Sequence, residues 1–291
     1  MTRLGLLGPV ALILSLVVSA PAFAGGGFCS HKLTRLIPER HRSAPVGSAV
    51  VRSVMNMSGT DRDAVLEREV LAGNMPSFLR DLVPVSMSGT VNGHALDITI
   101  CVTPDYVAVG DDDDFVRVPL GMAAAARIAD ELGFLLPTPQ MVDRIYEQAE
   151  VQLPPEPMKP GGAMTTTTYF KRHDETVDRQ AGPYGLHPVA LVAGIKKDVV
   201  ISERLRKQPG RVAIYGWHRG AGRPIQPLSL VHGAEYADYS HGIRLVSRIA
   251  FINGRPVALD KVMQDPDIAA IVTGEEGPMR DVRRLMATLY R

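Results

Sequence analysis

The apolar period of this chain changes twice, and that limits the folds open to it. Residues 90–103 alternate apolar and polar side chains, as a half-buried strand does, and short apolar runs at 106–109 and 115–118 flank an acidic turn. From 122 to 132 the pattern becomes an alanine-rich helix that Gly133 ends. Leu136-Pro137-Thr138-Pro139 then breaks and restarts the chain. Pro137 blocks continuation, Thr138 supplies a cap, and Pro139 takes the first helical position, where its missing N–H costs nothing. A second helix follows over 140–149, with Met141, Ile145 and Gln148 on one stripe. Residues 151–168, rich in Pro, Gly and Thr, read as a linker or an extended crossing of the surface. Beyond them the pattern is mostly β, at 189–193, 198–201, 211–217 and 225–231. Asn253-Gly254 is a two-residue hairpin signal between 243–252 and 255–259.

Nearer the N-terminus, 61–71 reads as a helix with Thr60 as its cap and Gly73 as its stop, and 78–85 reads as a strand. Residues 278–290 read as a closing helix. The expectation is an α+β protein. A β-rich C-terminal half of mostly antiparallel strands (169–291) carries the site, and an N-terminal part (25–150) with a meander and two helices packs against it.

Residues 1–24 have the pattern of a signal peptide. Arg3 is the positive region, 4–18 is apolar, and Ala22-Phe23-Ala24 offers small residues around a cleavage point after Ala24. The run is short for a membrane span, so no span is expected after cleavage, and the mature protein is expected in the periplasm or outside the cell. With 32 Lys and Arg against 31 Asp and Glu, the chain has no electrostatic footprint for nucleic acid. No Gly-rich phosphate loop or dinucleotide fingerprint occurs, so no nucleotide cofactor is expected. The two cysteines, Cys29 and Cys101, read first as a disulfide in an exported protein; the competing reading is a reactive Cys101 thiolate.

The chemistry-bearing residues concentrate between 215 and 245. Three of the eight histidines lie there (His218, His232 and His241) with the single tryptophan, Trp217, and with Tyr215, Tyr236 and Tyr239. Each histidine falls at a strand end, so neighbouring strands would bring all three to one mouth, with Asp238 in the loop between the last two. Three mechanisms follow. Two or three of His218, His232 and His241, with Asp238, could bind zinc or a similar divalent ion that acidifies a water. Alternatively Cys101 or Ser240 attacks, a histidine takes its proton and Asp238 orients that histidine. In a binding protein, Trp217, Tyr215, Tyr236 and Tyr239 would stack on a ligand and the histidines would hydrogen-bond it. Histidines and tyrosines at strand ends also commonly just satisfy buried backbone groups.

Ser240-His241-Gly242-Ile243-Arg244-Leu245, preceded by His232-Gly233, resembles the L,D-transpeptidase signature, a His-Gly followed by Ser-His-Gly-Cys-x-Arg. The nucleophilic cysteine of that signature is absent here and the separation from His232 is shorter. The resemblance covers this window alone and implies a cell-wall substrate without carrying over the family's chemistry.

Charged residues elsewhere have two readings each. In Lys196-Lys197-Asp198 one lysine, Lys197, points into a cleft as an anion binder, or the pair blocks an exposed sheet edge. Arg244 clamps a substrate carboxylate or pairs with Asp238. Asp111-Asp112-Asp113-Asp114 is a solvated turn rather than a calcium loop, since the glycine and terminal glutamate of such a loop are missing. His173-Asp174 is a pair that could fold back over the mouth. The expected activity is hydrolysis of an amide or glycan bond in a cell-envelope or extracellular polymer. The alternative is a non-catalytic ligand-binding or envelope-structural protein using the same cleft.

Overall fold

A computed structural model describes residues 27–184 and 190–291. The expected signal peptide lies outside the described residues. The protein is α+β, with mostly antiparallel strands. Its larger sheet runs Val83–Val91, His94–Val102, Val246–Ile252, Arg255–Ala258 in spatial order, and Phe134–Leu135 also pairs with Val246–Ile252. Two hairpins shape it. Asn253-Gly254 turns with φ of 47° and 80°, as its sequence predicts. Asn92-Gly93 does the same with 50° and 78°. That second turn corrects the expected single strand over 90–103. It also moves the preceding strand past Phe78, which sits in the 3-10 turn Ser77–Arg80.

The halves meet in this sheet, because His94–Val102 pairs with Val246–Ile252. One apolar core accordingly extends from Ile37 to Met286. Cys101 lies in that core, bonded to Cys29 with an S–S distance of 2.10 Å. A cysteine in a disulfide has no thiolate to offer, so Cys101 is corrected from a catalytic candidate to a cross-link. The acidic run is the turn between Ala108–Gly110 and Phe115–Arg117, and its carboxylates serve neighbouring chain. Asp112 accepts from Ser77 N and Oγ, and Asp114 from Ser48 N and Oγ.

Helices Met122–Glu131 and Pro139–Gln148 form as the sequence predicts, and Thr138 accepts from Met141 N at 3.2 Å. A further helix, Thr167–Ala181, corrects the expectation of β structure past 168. Thr166 caps it by accepting from Tyr169 N. Its core-facing positions are Phe170, His173, Asp174, Val177 and Ala181, a helical spacing whose apolar signal two polar residues interrupt.

A second, four-stranded sheet positions the site. Its order is Pro224–Ser229, Ile214–His218, Lys197–Val199, His241–Gly242. Only the last pair is parallel, with His241 opposite Lys197 and Gly242 opposite Asp198. Lys197–Val199 therefore lies between two other strands. The reading of Lys196-Lys197 as a guard on an exposed edge is corrected accordingly: both lysines are buried. Among the described residues, no helix is long and apolar enough to cross a membrane.

Candidate functional site

Successive side chains of a strand leave opposite faces, so the register assigns Lys197 and His241 to one face and Asp198 and Gly242 to the other. Gly242 has to be glycine. A Cβ there would lie 2.5 Å from the Tyr106 ring and 2.7 Å from Lys196 Cβ. The strands thus approach closely just where His241 is presented.

Asp238 completes this face from the preceding loop. Its Oδ1 accepts from Ser240 N at 2.8 Å and from Ser240 Oγ, and its Oδ2 accepts from Tyr236 OH at 3.3 Å. Lys197 Nζ stands 3.6 Å from Oδ2. The same ammonium lies 4.8 Å from the centre of the Trp217 ring. Trp217 adopts a φ of 60°, in the left-handed region that few non-glycine residues enter, after Gly216 at 106°. The indole is anchored by Nε1, which donates to Ile195 O at 2.9 Å. His232 stacks on Tyr236 with ring centroids 3.9 Å apart, and Tyr236 meets His241 edge-on at 5.8 Å. His232 and Tyr236 are half-buried, whereas Lys197 and Trp217 are buried and keep only 8% of their surface exposed.

His241 is wholly buried, and neither ring nitrogen has a hydrogen-bond partner among the described residues. Burial lowers its pKa to about 4, against the pull of Asp238, so the ring is neutral at neutral pH. Asp238 shows the opposite balance. Burial disfavours its carboxylate, but His241, Lys197 and the two Ser240 donors outweigh that and hold the pKa below the ordinary value. The result is an ionised carboxylate, a neutral imidazole and an ammonium group together in a nearly dry site.

Behind this face lies a polar layer that is buried except at Asp178, whose side chain is 48% exposed. Lys196 Nζ donates to Tyr239 O at 2.8 Å and lies 3.0 Å from His173 Nδ1. Burial lowers Lys196 to about 8, and burial with the nearby Lys196 lowers His173 to about 2. Arg117 donates to Asp105 at 2.9 Å, to Asp174 at 3.2 Å and to Asp178 at 2.9 Å. His173 and Asp174 thus support the back wall rather than close over the mouth. On the other sheet face Asp198 lies near Arg244 and His218. Burial pushes its carboxyl up to about 7.

Several expected site residues lie elsewhere. His218 is corrected from the shared mouth to a separate cluster: its Nε2 is 2.8 Å from Asp143 Oδ1 and its ring stacks on Tyr146 at 4.6 Å. Tyr215 belongs to that cluster, donating its hydroxyl to Asp143 at 2.9 Å. Among the described residues no group of three or more His, Cys, Asp or Glu is placed to hold a metal ion, so His218, His232 and His241 do not form the ligand set considered for zinc. Ser240 donates to Asp238 rather than to a histidine, which corrects its reading as a histidine-activated nucleophile. Arg244 donates to Thr103 O at 2.8 Å and Val192 O at 2.6 Å under the Tyr106 ring, and holds backbone rather than Asp238 or substrate. Tyr239 is a buried wall whose hydroxyl accepts from Met158 N at 2.8 Å.

Sequence reasoning missed Asp143, the partner that removes His218 from the site, and Arg117 with Asp105. Arg117 between Val116 and Val118 was the available signal, a charge inside an apolar strand. No family model, curated protein or solved structure matches the chain, so the likeness to the L,D-transpeptidase signature rests on the residues of that window alone.

Proposed function

We propose that the protein is an exported hydrolase that cleaves an amide or glycan bond of a cell-envelope or extracellular polymer, with His241 as the proton-transfer group. One observation carries the reading: an orphaned, neutral imidazole stands beside an ionised carboxylate and an ammonium group. An unpaired buried polar atom costs about 1–3 kcal/mol. Such a cost is commonly retained where function requires it. In the reaction His241 accepts a proton from the attacking water and returns it to the leaving group. Asp238 stabilises the imidazolium that forms between these steps, and Lys197 faces the oxygen on which negative charge develops. Trp217 and Tyr236 offer ring faces to the polymer. The disulfide supports export, since such bonds persist in oxidising compartments.

The test is hydrolysis of labelled peptidoglycan and polysaccharide fragments by the purified protein. Asp238→Asn and His241→Gln are expected to abolish turnover with the fold retained by circular dichroism, whereas His218→Gln retains it. Undiminished turnover by folded His241→Gln would exclude the mechanism. The His232–Tyr236 stack favours a second reading, a ligand-binding protein, which predicts binding of the same fragments with no turnover.

A further inference from the structure

A groove of about 620 Å³ runs between the helices Arg204–Lys207 and Val282–Thr288, away from His241. Four arginines line it, Arg206, Arg211, Arg284 and Arg291, against one carboxylate, Asp281. In a chain with 32 basic and 31 acidic residues this is a strong local excess of positive charge. Asp281 is already engaged, since its Oδ1 accepts from Arg284 N at 3.2 Å. Arg206 is engaged too. It donates to Asp281 O at 2.9 Å and to Arg280 O, and pairs with Glu203 at 3.1 Å, which ties the two helices together. Arg284 and Arg291 are exposed, and neither forms an ion pair with a carboxylate among the described residues. The floor is apolar, formed by Leu205, Leu285 and Leu289.

The groove reaches the loop that carries the candidate site. Ala234 lines it and is fixed on both sides, its N–H donating to Gly210 O at 2.9 Å and its carbonyl accepting from Met122 N at 2.8 Å. Two residues further on, Tyr236 lies against His241. Guanidinium groups over an apolar floor match carboxylates on a sugar chain, whose ring faces pack on the leucines while the carboxylates meet planar donor forks.

We propose that this groove binds an anionic, carboxylate-bearing glycan, and that it holds the charged stretch of the polymer leading to the bond beside His241. The binding site stands on the groove itself; its link to cleavage rests on the hydrolase reading above. The test measures binding of polygalacturonate to the full protein by titration calorimetry, with neutral dextran and single-stranded DNA as comparison ligands. Polygalacturonate is expected to bind, to weaken at least tenfold between about 0.05 and 0.5 M salt as screening shortens, and to lose at least tenfold in affinity in Arg284→Glu/Arg291→Glu. The single Arg284→Ser and Arg291→Ser variants, which add no negative charge, are expected to fall between. Equal binding by the double variant, equal binding of dextran, or preferential binding of DNA would each overturn the assignment. Binding needs no turnover, so native protein that binds polygalacturonate but cleaves no labelled fragment would keep the groove and sink only the hydrolase reading. Failure of the groove and failure of the hydrolase reading are therefore seen in different measurements.

Discussion

The closest coupling in the site is between Lys197 and Asp238, and a double-mutant cycle measures it. Their charged atoms are 3.6 Å apart, and the side chains are 10% and 3% exposed. At an effective dielectric of roughly 20 the attraction is about 5 kcal/mol. Removing both charges recovers much of that as avoided desolvation, whereas removing one strands the other, at about 3–5 kcal/mol. Asp238→Asn keeps the shape and an oxygen for both Ser240 donors, but leaves the Lys197 ammonium with only the Trp217 face. We expect a loss of about 3 kcal/mol. Lys197→Met leaves Asp238 with its Ser240 and Tyr236 bonds and should cost less, about 2 kcal/mol. Lys197→Met/Asp238→Asn should cost no more than about 2–3 kcal/mol, so the coupling is about 2–3 kcal/mol. Urea unfolding followed by the fluorescence of Trp217, the single tryptophan and itself part of the site, reads all four proteins. Losses that add to within about 0.5 kcal/mol would refute the coupling, and with it the placement of Lys197 as a charge held by Asp238.

His241→Phe should raise stability by about 1–3 kcal/mol at pH 7, because it removes two orphaned nitrogens, while abolishing turnover; thermal melts beside the hydrolysis assay check both. Protonation of His241 sets part of the acid limb. Its folded pKa of about 4 lies below the ordinary 6.5, so its contribution is present above pH 6.5 and is lost as pH falls from 6.5 through 4. At 1.36 kcal/mol per tenfold change in proton affinity this loss is about 3 kcal/mol. The stability gap between the native protein and His241→Phe should widen by that amount from pH 7 to pH 4, and a constant gap would contradict the buried neutral ring. The 72-residue separation of Cys29 and Cys101 corresponds to about 4 kcal/mol of loop-closure entropy, so Cys29→Ser/Cys101→Ser should unfold at correspondingly lower urea, with no free thiol detectable in the unreduced native protein.

What the sequence determined is what neighbouring residues decide among themselves. Thr138-Pro139 starts a helix and Asn253-Gly254 closes a hairpin, because caps and left-handed turns depend on one to four adjacent residues. The same rule would have found Asn92-Gly93. The helix Thr167–Ala181 was hidden for the opposite reason: His173 and Asp174 occupy core-facing positions that only Lys196 and Arg117, brought from other elements, make tolerable. The concentration of histidines and aromatics at 215–245 was legible, but not its division. Asp143 draws His218 away across 75 residues, and the parallel pairing of His241–Gly242 with Lys197–Val199 brings Lys197 and His241 to one face. Those choices belong to the tertiary structure, because strand register and the pairing of buried charges are set by partners far along the chain, and no local pattern encodes which partner arrives.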